Sequence, residues 1–146
     1  MVKIAYVDSS VWIKHYVESE KASAYASQLL TDYKVFASVI TQVEVFSALA
    51  RKFQLQEISI EDVKKIKDAF RSDCQRAGMI EVSDDVVNEV QNLVFRTTIK
   101  TLDAIHLASY ILLKRETEVS FPLITADNKL ASAANKESFE VIGVGI

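Results

Sequence analysis

Short runs of β-branched and aromatic residues alternate with helix-like stretches along the whole chain, and this alternation constrains the fold more than any other feature. Runs typical of strands cover residues 2–7, 34–38, 79–82, 121–125 and 139–144. Apolar residues between positions 39 and 50 recur every three or four residues, as on one face of a helix. Neighbouring parallel strands require a crossover connection, which is usually a helix. The sequence therefore predicts a three-layer α/β fold, in which a mainly parallel central sheet lies between two layers of helices.

The helix-like stretches carry recognisable start and stop residues. Ser59, followed three positions later by Asp62, resembles a capping box. Gly78 stands where a glycine commonly ends a helix, and Ser83 is a typical N-cap residue for the helix after it. One or two helices are predicted over residues 11–17 and 21–30, and further helices over residues 41–54, 59–78, 84–95, 101–113 and 127–134.

Length and composition are those of a globular domain. The 146 residues fit one hydrophobic core, and 49% of them are hydrophobic, with only 3 Gly and 1 Pro. We therefore expect a single domain over residues 1–146. The lone Cys74 cannot form a disulfide within the chain, and no apolar stretch reaches the roughly 18 residues of a membrane span. These features predict a soluble cytoplasmic protein.

The formal net charge of −3 argues against a protein that wraps duplex nucleic acid with a broad basic face. It does not argue against a nuclease, because metal sites need clustered carboxylates whose negative charge is neutralised locally by bound ions. The basic residues between positions 64 and 71 are typical of a solvated helix face.

Four acidic residues stand at corresponding places in the strand and helix pattern. Asp8 directly follows the first strand, and Asp127 follows the strand that ends at Thr125. Glu44 lies early in the helix after the second strand, and Asp103 lies at the start of a later helix. Ligands of open parallel sheets bind beyond the carboxyl ends of the strands. We therefore expect these four carboxylates to meet at one edge of the sheet.

Asp103 lies in the segment 102–113, which is apolar nearly all round and so predicts a helix buried on several sides. A carboxylate in such a helix is unfavourable unless it is paired or bound to a cation. A structural pair with His106, one turn on, is one explanation, and a metal ion shared with the other three acids is another. His106 itself is interpreted as a packed, hydrogen-bonded core residue and not as a metal ligand.

The other three acids also have simple structural interpretations when they are taken singly. Asp8 and Asp127 each stand where a helix N-cap is expected. Glu44 has Arg51 two turns on as a candidate ion-pair partner, or a more distant lysine. Independent caps and pairs give no reason for joint placement at one sheet edge, whereas a shared metal site does.

Four segments of the chain resemble the signature segments of PIN domains, and most closely those of the VapC toxins of toxin-antitoxin pairs. These segments are Val7–Ser10, Thr41–Glu44 with Ser47–Leu49, Leu102–Ala108 and Thr125–Leu130. The resemblance runs almost from end to end, and the order and spacing of four segments make it specific. One departure is the turn after Glu18, where many relatives carry glycine and this chain has Ser19–Lys21.

The resemblance implies a Rossmann-like sheet, an Mg²⁺ or Mn²⁺ site, and cleavage of structured or single-stranded RNA. It also implies a homodimer that an antitoxin neutralises. The metal site implied by the resemblance contains Asp8, Glu44, Asp103 and Asp127, supported by Ser9 or Ser10 and by Thr125. Related domains also process ribosomal RNA, so an RNA-processing role outside a toxin-antitoxin pair remains an alternative.

An all-oxygen set of ligands selects a hard cation, Mg²⁺ or Mn²⁺ in preference to zinc. Such ions activate water and stabilise the attacking and leaving oxygens of an in-line displacement. We expect Asp8 and Asp103 to anchor the principal ion, and Glu44 and Asp127 to complete it, to hold a second ion or to orient water. Attack by water does not use the RNA 2′-hydroxyl, so the expected products carry 5′-phosphate and 3′-hydroxyl ends.

Three other functions are alternatives to a metal-dependent nuclease. An aspartyl phosphatase wants a second acid two residues after the first, where this chain has Ser10. A signalling receiver domain usually has an acidic pair after its first strand and an aspartate after its third, where this chain has Ser83. A PIN-like module that binds a partner without cutting differs from a nuclease in showing no metal-restored cleavage.

Overall fold

A sheet of five parallel strands forms the centre of the molecule, in a computed structural model that describes residues 2–146. The strands are β1 (Ile4–Val7), β2 (Lys34–Ser38), β3 (Gly78–Ile80), β4 (Leu123–Thr125) and β5 (Val141–Gly143). Their order across the sheet is β3-β2-β1-β4-β5, and every neighbouring pair is parallel. The predicted parallel sheet is thus confirmed, with each strand at or within its predicted run, apart from Gly78 at the start of β3.

Helices cover both faces of this sheet. They are α1 (Ser9–Tyr16), α2 (Ser23–Asp32), α3 (Ile40–Gln54), α4 (Ile60–Arg76), α5 (Asp84–Arg96), α6 (Thr101–Thr117) and α7 (Asn128–Lys136). Successive strand residues point to opposite faces, so Ala5 and Val7 pack among α1 to α4 while Tyr6 packs among α5 to α7. The three-layer α/β prediction is therefore confirmed. No helix within residues 2–146 is both long enough and apolar enough to cross a membrane.

The central strand β1 determines where a site can form. Its neighbours β2 and β4 follow it at very different points of the chain, so the strand order reverses direction at β1. The backbone N–H of Asp8 continues the ladder beyond β1 and donates to the carbonyl of Ile124 over 3.1 Å. Ligands of open parallel sheets bind in the crevice at such a reversal, beyond the carboxyl ends of the strands. This crevice opens between the ends of β1 and β4.

The predicted helix starts at Ser59 and Ser83 are present in the structure. Ser59 Oγ accepts from the backbone N–H of Asp62 over 3.0 Å, and Asp62 Oδ2 accepts from the N–H of Ser59 over 3.1 Å. This reciprocal pair is the predicted capping box. Ser83 Oγ accepts from the N–H of Val86 and so caps α5.

The predicted role of Gly78 as the end of a helix is wrong. Helix α4 ends at Arg76, and Gly78 is the first residue of β3, in register with Phe36 of β2. A Cβ atom at position 78 would lie 2.4 Å from ring atoms of Phe36. Glycine is therefore needed here because an aromatic ring covers the strand, and not because the chain turns.

The turn between α1 and α2 contains a left-handed residue although it has no glycine. Ala22 adopts a φ of 63° and a ψ of 24° immediately before α2. A left-handed conformation costs an L-residue about 1 kcal/mol or more. This left-handed residue thus sets the start of α2, and the turn from Ser19 to Lys21 contains none of the four acids.

Candidate active site

Four acidic side chains, the acid cluster of Asp8, Glu44, Asp103 and Asp127, lie at the carboxyl edge of the sheet. Asp8 follows β1 directly and Asp127 follows β4 after one residue, while Glu44 and Asp103 lie near the starts of α3 and α6. Burial raises the pKa of Asp103, and the negative charges of Asp127 and Glu44 raise it further. The charge of Asp103 also contributes to the raised pKa of Asp8. The structure thus brings all four sequence-predicted acids close enough to interact electrostatically.

Asp8 is the most deeply buried member of the cluster, with 2% of its surface exposed. Ser10 Oγ donates to Asp8 Oδ1 over 2.7 Å and accepts from the backbone N–H of Ala126 over 2.9 Å. Burial raises the pKa of Asp8 to about 6, although the charge of His106 and the hydroxyls of Ser10 and Thr125 act in the opposite direction. Asp8 occupies the N-cap position of α1 but accepts no capping bond, so its interpretation as only an N-cap is wrong.

Asp127 does cap a helix. Its Oδ1 atom accepts from the backbone N–H groups of Lys129 over 2.8 Å and Leu130 over 3.0 Å, at the start of α7. Its own N–H donates to Thr125 Oγ1 over 3.0 Å. These bonds hold the carboxylate rigidly and occupy one of its oxygens, so the capping function leaves Oδ2 for a ligand.

Glu44 is paired with a histidine and not with Arg51. Its Oε1 atom lies 2.6 Å from His106 Nε2, which belongs to the helix layer on the opposite face of the sheet. The suggested structural pair between Asp103 and His106 is also absent among residues 2–146, because the ring nitrogens of His106 are taken by Glu44 and Tyr6. The prediction that His106 is a buried, hydrogen-bonded residue is confirmed, since the residue is fully buried.

Asp103 has no hydrogen-bond or ion-pair partner among the residues that the structure describes. It is half-buried in the first turn of α6, with the charge of Lys100 lowering its pKa against the larger effects of burial and Asp127. A partly buried carboxylate beside other carboxylates is unfavourable without a cation. Asp103 is therefore the group of the cluster that most needs a bound cation.

The donor chemistry of the cluster fits a hard divalent cation. Asp103 contributes an unpaired carboxylate, Asp127 its Oδ2 atom and Glu44 its Oε2 atom, and all these ligands are oxygens, as Mg²⁺ and Mn²⁺ prefer. Within residues 2–146, however, no three His, Cys, Asp or Glu side chains converge tightly enough to enclose an ion as they stand. Metal binding therefore requires the carboxylates to draw together, against the repulsion that a cation removes.

The three predicted supporting residues differ in what they contact. Ser10 and Thr125 both have hydroxyls in the network that joins Asp8 to Asp127. Ser9 is 7% exposed, and the described residues include no hydrogen bond from its hydroxyl to the acid cluster.

Sequence reasoning did not find Tyr6 or Thr41 as parts of this region. Tyr6 is fully buried, and its hydroxyl lies 2.8 Å from His106 Nδ1. Thr41 lies one turn before Glu44, and its buried Oγ1 has no hydrogen-bond partner among the described residues. Both residues occur in apolar runs where a β-branched or aromatic side chain is ordinary, and the segment Thr41–Glu44 stands out for its glutamate and not for its threonine.

A groove of about 280 Å³ runs along α7, between this helix and the loop before α6, and begins at Asn128, the residue after Asp127. Its lining residues are Thr97, Thr98, Ile99, Asn128, Lys129, Ser132, Ala133 and Lys136. Neither Lys129 nor Lys136 forms an ion pair with any residue in the described range. Arg96, at the end of α5, is by contrast engaged by Glu137 through two bonds of 2.7 and 3.2 Å. The groove thus offers two uncompensated lysines, one near Asp127 at the start of α7 and one at the end of the helix.

Several solved structures resemble this chain over nearly its whole length. A toxin-antitoxin complex from Klebsiella pneumoniae has a TM-score of 0.64 and 21% identity, covering 94% of this chain and 95% of that one. VapC20 from Mycobacterium tuberculosis, described as a toxin that cleaves the sarcin-ricin loop, has a TM-score of 0.66 and 16% identity, covering 88% and 94%. VapBC2 from Rickettsia felis, bound to a promoter DNA fragment, has a TM-score of 0.61 and 13% identity, covering 96% and 98%. At such identities the likeness shows the fold.

Sequence comparison assigns the family. A search of curated proteins gives no match. The family model of the PIN domain, however, matches residues 5–136. This range covers strands β1 to β4 almost completely and contains all four acids. The chain therefore belongs to the PIN domain family.

Proposed function

We propose that this protein is an Mg²⁺- or Mn²⁺-dependent endoribonuclease and the toxin of a toxin-antitoxin pair. The observation that carries the proposal is the unpartnered Asp103 carboxylate, surrounded by three further acids at the carboxyl edge of a PIN-family sheet. Structural likeness to VapC20 and to two toxin-antitoxin complexes supports the toxin role and an antitoxin partner.

In the proposed reaction Asp8 and Asp103 hold the principal cation, and Glu44 and Asp127 complete its surroundings or orient water. When bound, the metal supplies an activated water and neutralises charge on the scissile phosphodiester. Ser10 links the Asp8 carboxylate to the backbone after β4, through its 2.7 Å bond to Asp8 and the bond it accepts from Ala126. The capping bonds of Asp127 hold its carboxylate at the start of α7 and leave the Oδ2 atom free. The protein's contribution is thus to hold four carboxylates at one edge of the sheet, where a cation can draw them together.

RNA is the proposed substrate because the groove beside the acid cluster suits a polyanionic strand. Lys129 and Lys136 line the groove and have no acidic partner in the described part of the chain. Both lysines are therefore free to bind phosphate groups of RNA. The side chains of Thr98 and Asn128 in the same groove can also form hydrogen bonds with the strand. The overall negative charge is consistent with local binding of this kind, because the acids gather at the metal site.

The direct test of the proposed function is metal-restored cleavage. We expect protein treated with EDTA to leave single-stranded RNA intact, and Mn²⁺ or Mg²⁺ to restore cleavage to products with 5′-phosphate and 3′-hydroxyl ends. Product ends are determined by ligation and phosphatase sensitivity. Cyclic phosphate products would contradict water attack, and RNA binding without cleavage in any metal would identify a non-cleaving module.

We predict that the two groove lysines contribute to the salt dependence of RNA binding. The double variant Lys129→Ala, Lys136→Ala should reduce the slope of log affinity against log salt by about 1.4, because each lost phosphate contact on single strands contributes about 0.7. Binding is measured by fluorescence anisotropy in Asp103→Asn protein, which keeps the RNA intact. The matched control is Lys64→Ala, Lys65→Ala on the exposed face of α4, which should leave the slope unchanged. Equal slopes in both double variants would contradict RNA binding in the groove.

We also propose that the protein is a homodimer, joined through the end of α5. Phe95 there is 93% exposed and the adjacent Val94 is 42% exposed, and neighbouring exposed apolar side chains of this kind can mark a protein–protein contact. Light scattering at micromolar concentration should give a dimer for the parent and a monomer for Phe95→Asp. Phe53→Asp, at a 43% exposed position on α3, is the control and should remain dimeric. A monomeric parent would contradict the proposal.

A further inference from the structure

We propose that His106 is a positioning residue that holds the Glu44 carboxylate toward the other three acids, and that Tyr6 holds His106. This inference rests on the proposed function, because it gives Glu44 a place in the metal site. The sequence predicts a packed, hydrogen-bonded core residue at His106, whereas the structure assigns it a chain of contacts that begins at the end of β2, passes through Tyr6 of the central strand and ends at an acid of the cluster.

The chain of contacts consists of three hydrogen bonds in a row. The backbone N–H of Ser38, the last residue of β2, donates to the Tyr6 hydroxyl over 3.1 Å. The Tyr6 hydroxyl lies 2.8 Å from His106 Nδ1. His106 Nε2 lies 2.6 Å from Glu44 Oε1. Tyr6, Ser38 and His106 are all fully buried, so the first two bonds are shielded from water and have a fixed geometry.

The positions of the protons along this chain follow from the partners. A carboxylate only accepts, so His106 Nε2 carries a proton and donates it to Glu44. In the neutral ring Nδ1 then has a lone pair and accepts from the Tyr6 hydroxyl, which still accepts from Ser38. In the charged ring Nδ1 donates to the Tyr6 oxygen instead. His106 therefore donates to Glu44 in both protonation states, as a histidine that orients a metal-binding carboxylate must.

The two elements joined by this bond lie on opposite faces of the sheet. Glu44 belongs to α3, which packs with α1, α2 and α4, while His106 belongs to α6, which packs with α5 and α7. His106 lies one turn after Asp103 on the same helix. The helix that carries Asp103 thus also fixes the acid contributed from the other layer. An apolar residue at position 106 fills the same core but cannot make this link.

The electrostatic surroundings agree with this arrangement. His106 lies near enough to Asp8 and Asp103 to lower the pKa of each against the larger effect of burial. Its ring therefore faces three of the four acids while it bonds to only one of them. Among residues 2–146, the only side-chain hydrogen bond of Glu44 is the one from His106.

The test compares three variants by Mn²⁺ titration calorimetry and by kcat and KM on single-stranded RNA. His106→Leu should weaken Mn²⁺ affinity by about 10- to 100-fold and lower kcat, with a smaller change in KM, as loss of a residue that orients a metal ligand does. His106→Gln, which retains a donor for Glu44, should recover part of both losses. Tyr6→Phe leaves His106 and Glu44 in place and should show a smaller loss in the same direction. It also keeps the test decisive if His106→Leu fails to fold.

A readout without metal separates positioning from packing. The carboxyl ¹³C signal of Glu44, assigned with Glu44→Gln, should move toward that of a free carboxylate in His106→Leu and stay near the parent value in His106→Gln. Unchanged Glu44 signals and unchanged Mn²⁺ affinity in folded His106→Leu or Tyr6→Phe protein would overturn this inference and leave the proposed function standing. A parent protein that binds no Mn²⁺ would overturn the proposed function, and the role of His106 in it, at the outset.

Discussion

Asp103→Asn is expected to abolish metal-dependent RNA cleavage while the fold remains intact. The loss should exceed the roughly 10- to 100-fold that follows removal of an outer partner of a metal ligand, because Asp103 is the carboxylate without any protein partner among residues 2–146. Single-turnover cleavage in Mn²⁺ measures the rate, and circular dichroism reports the fold.

Asp68→Asn is the matched control, since Asp68 is an exposed acid on α4 and its loss should leave cleavage unchanged. The metal-free Asp103 variant should also melt higher than the metal-free parent, because it removes one charge from a repulsive cluster. An Asp103→Asn protein that cleaves at the parental rate would show that the acid cluster is not the cleavage site.

Asp8→Asn is expected to raise the stability of the metal-free protein at neutral pH. Burial raises the pKa of Asp8 from 3.8 to about 6, so the folded state favours the protonated acid. Below about pH 4 Asp8 is protonated in both states, and its burial carries no electrostatic penalty. The free energy of unfolding falls as pH rises from about 4 to about 6, and the loss is complete above the folded-state pKa. Two pKa units correspond to about 3 kcal/mol, or very roughly 6 to 12 °C in Tm for a domain of this size.

The measurement is a series of melting curves in EDTA between pH 4 and pH 8. The parent should lose stability relative to Asp8→Asn as pH rises through 4 to 6, and the two should converge at the acid end. Saturating Mn²⁺ should reverse the order at pH 7, because only the parent keeps this ligand. Parallel curves at every pH would mean that burial does not disfavour the Asp8 charge.

Much of the fold follows from periodicity, because parallel strands buried on both faces and amphipathic helices leave clear patterns. The deviations have local physical causes. Strand β4 begins at Leu123 and not at Phe121, since the intervening Pro122 has no N–H to donate to a neighbouring strand. Helix α6 continues four residues past its predicted end at Leu113, because charged residues can extend a helix after its buried face has ended.

The position of the acid cluster was also predictable, whereas its contacts were not. Asp8 and Asp127 follow strands, and strand ends meet at one edge whatever the details of packing. The partner of Glu44 is 62 residues away in sequence, so only tertiary packing brings His106 to it. Arg51 was the attractive candidate on local spacing alone, but it is exposed on α3 and takes no part in the cluster. Gly78 was misassigned for the same reason, because its neighbour Phe36 lies on another strand.

The central place of β1 has a consequence for the timing of synthesis. Tyr6 and Val7 pair with Leu123 and Ile124, so the first strand to leave the ribosome waits for one of the last strands before it is complete. At about 5 to 20 residues per second, that interval is on the order of ten seconds. Once Glu44 has been added, the growing chain carries Asp8 and Glu44 but has no crevice in which to assemble them. The complete acid cluster can therefore form only when translation of the chain is nearly finished.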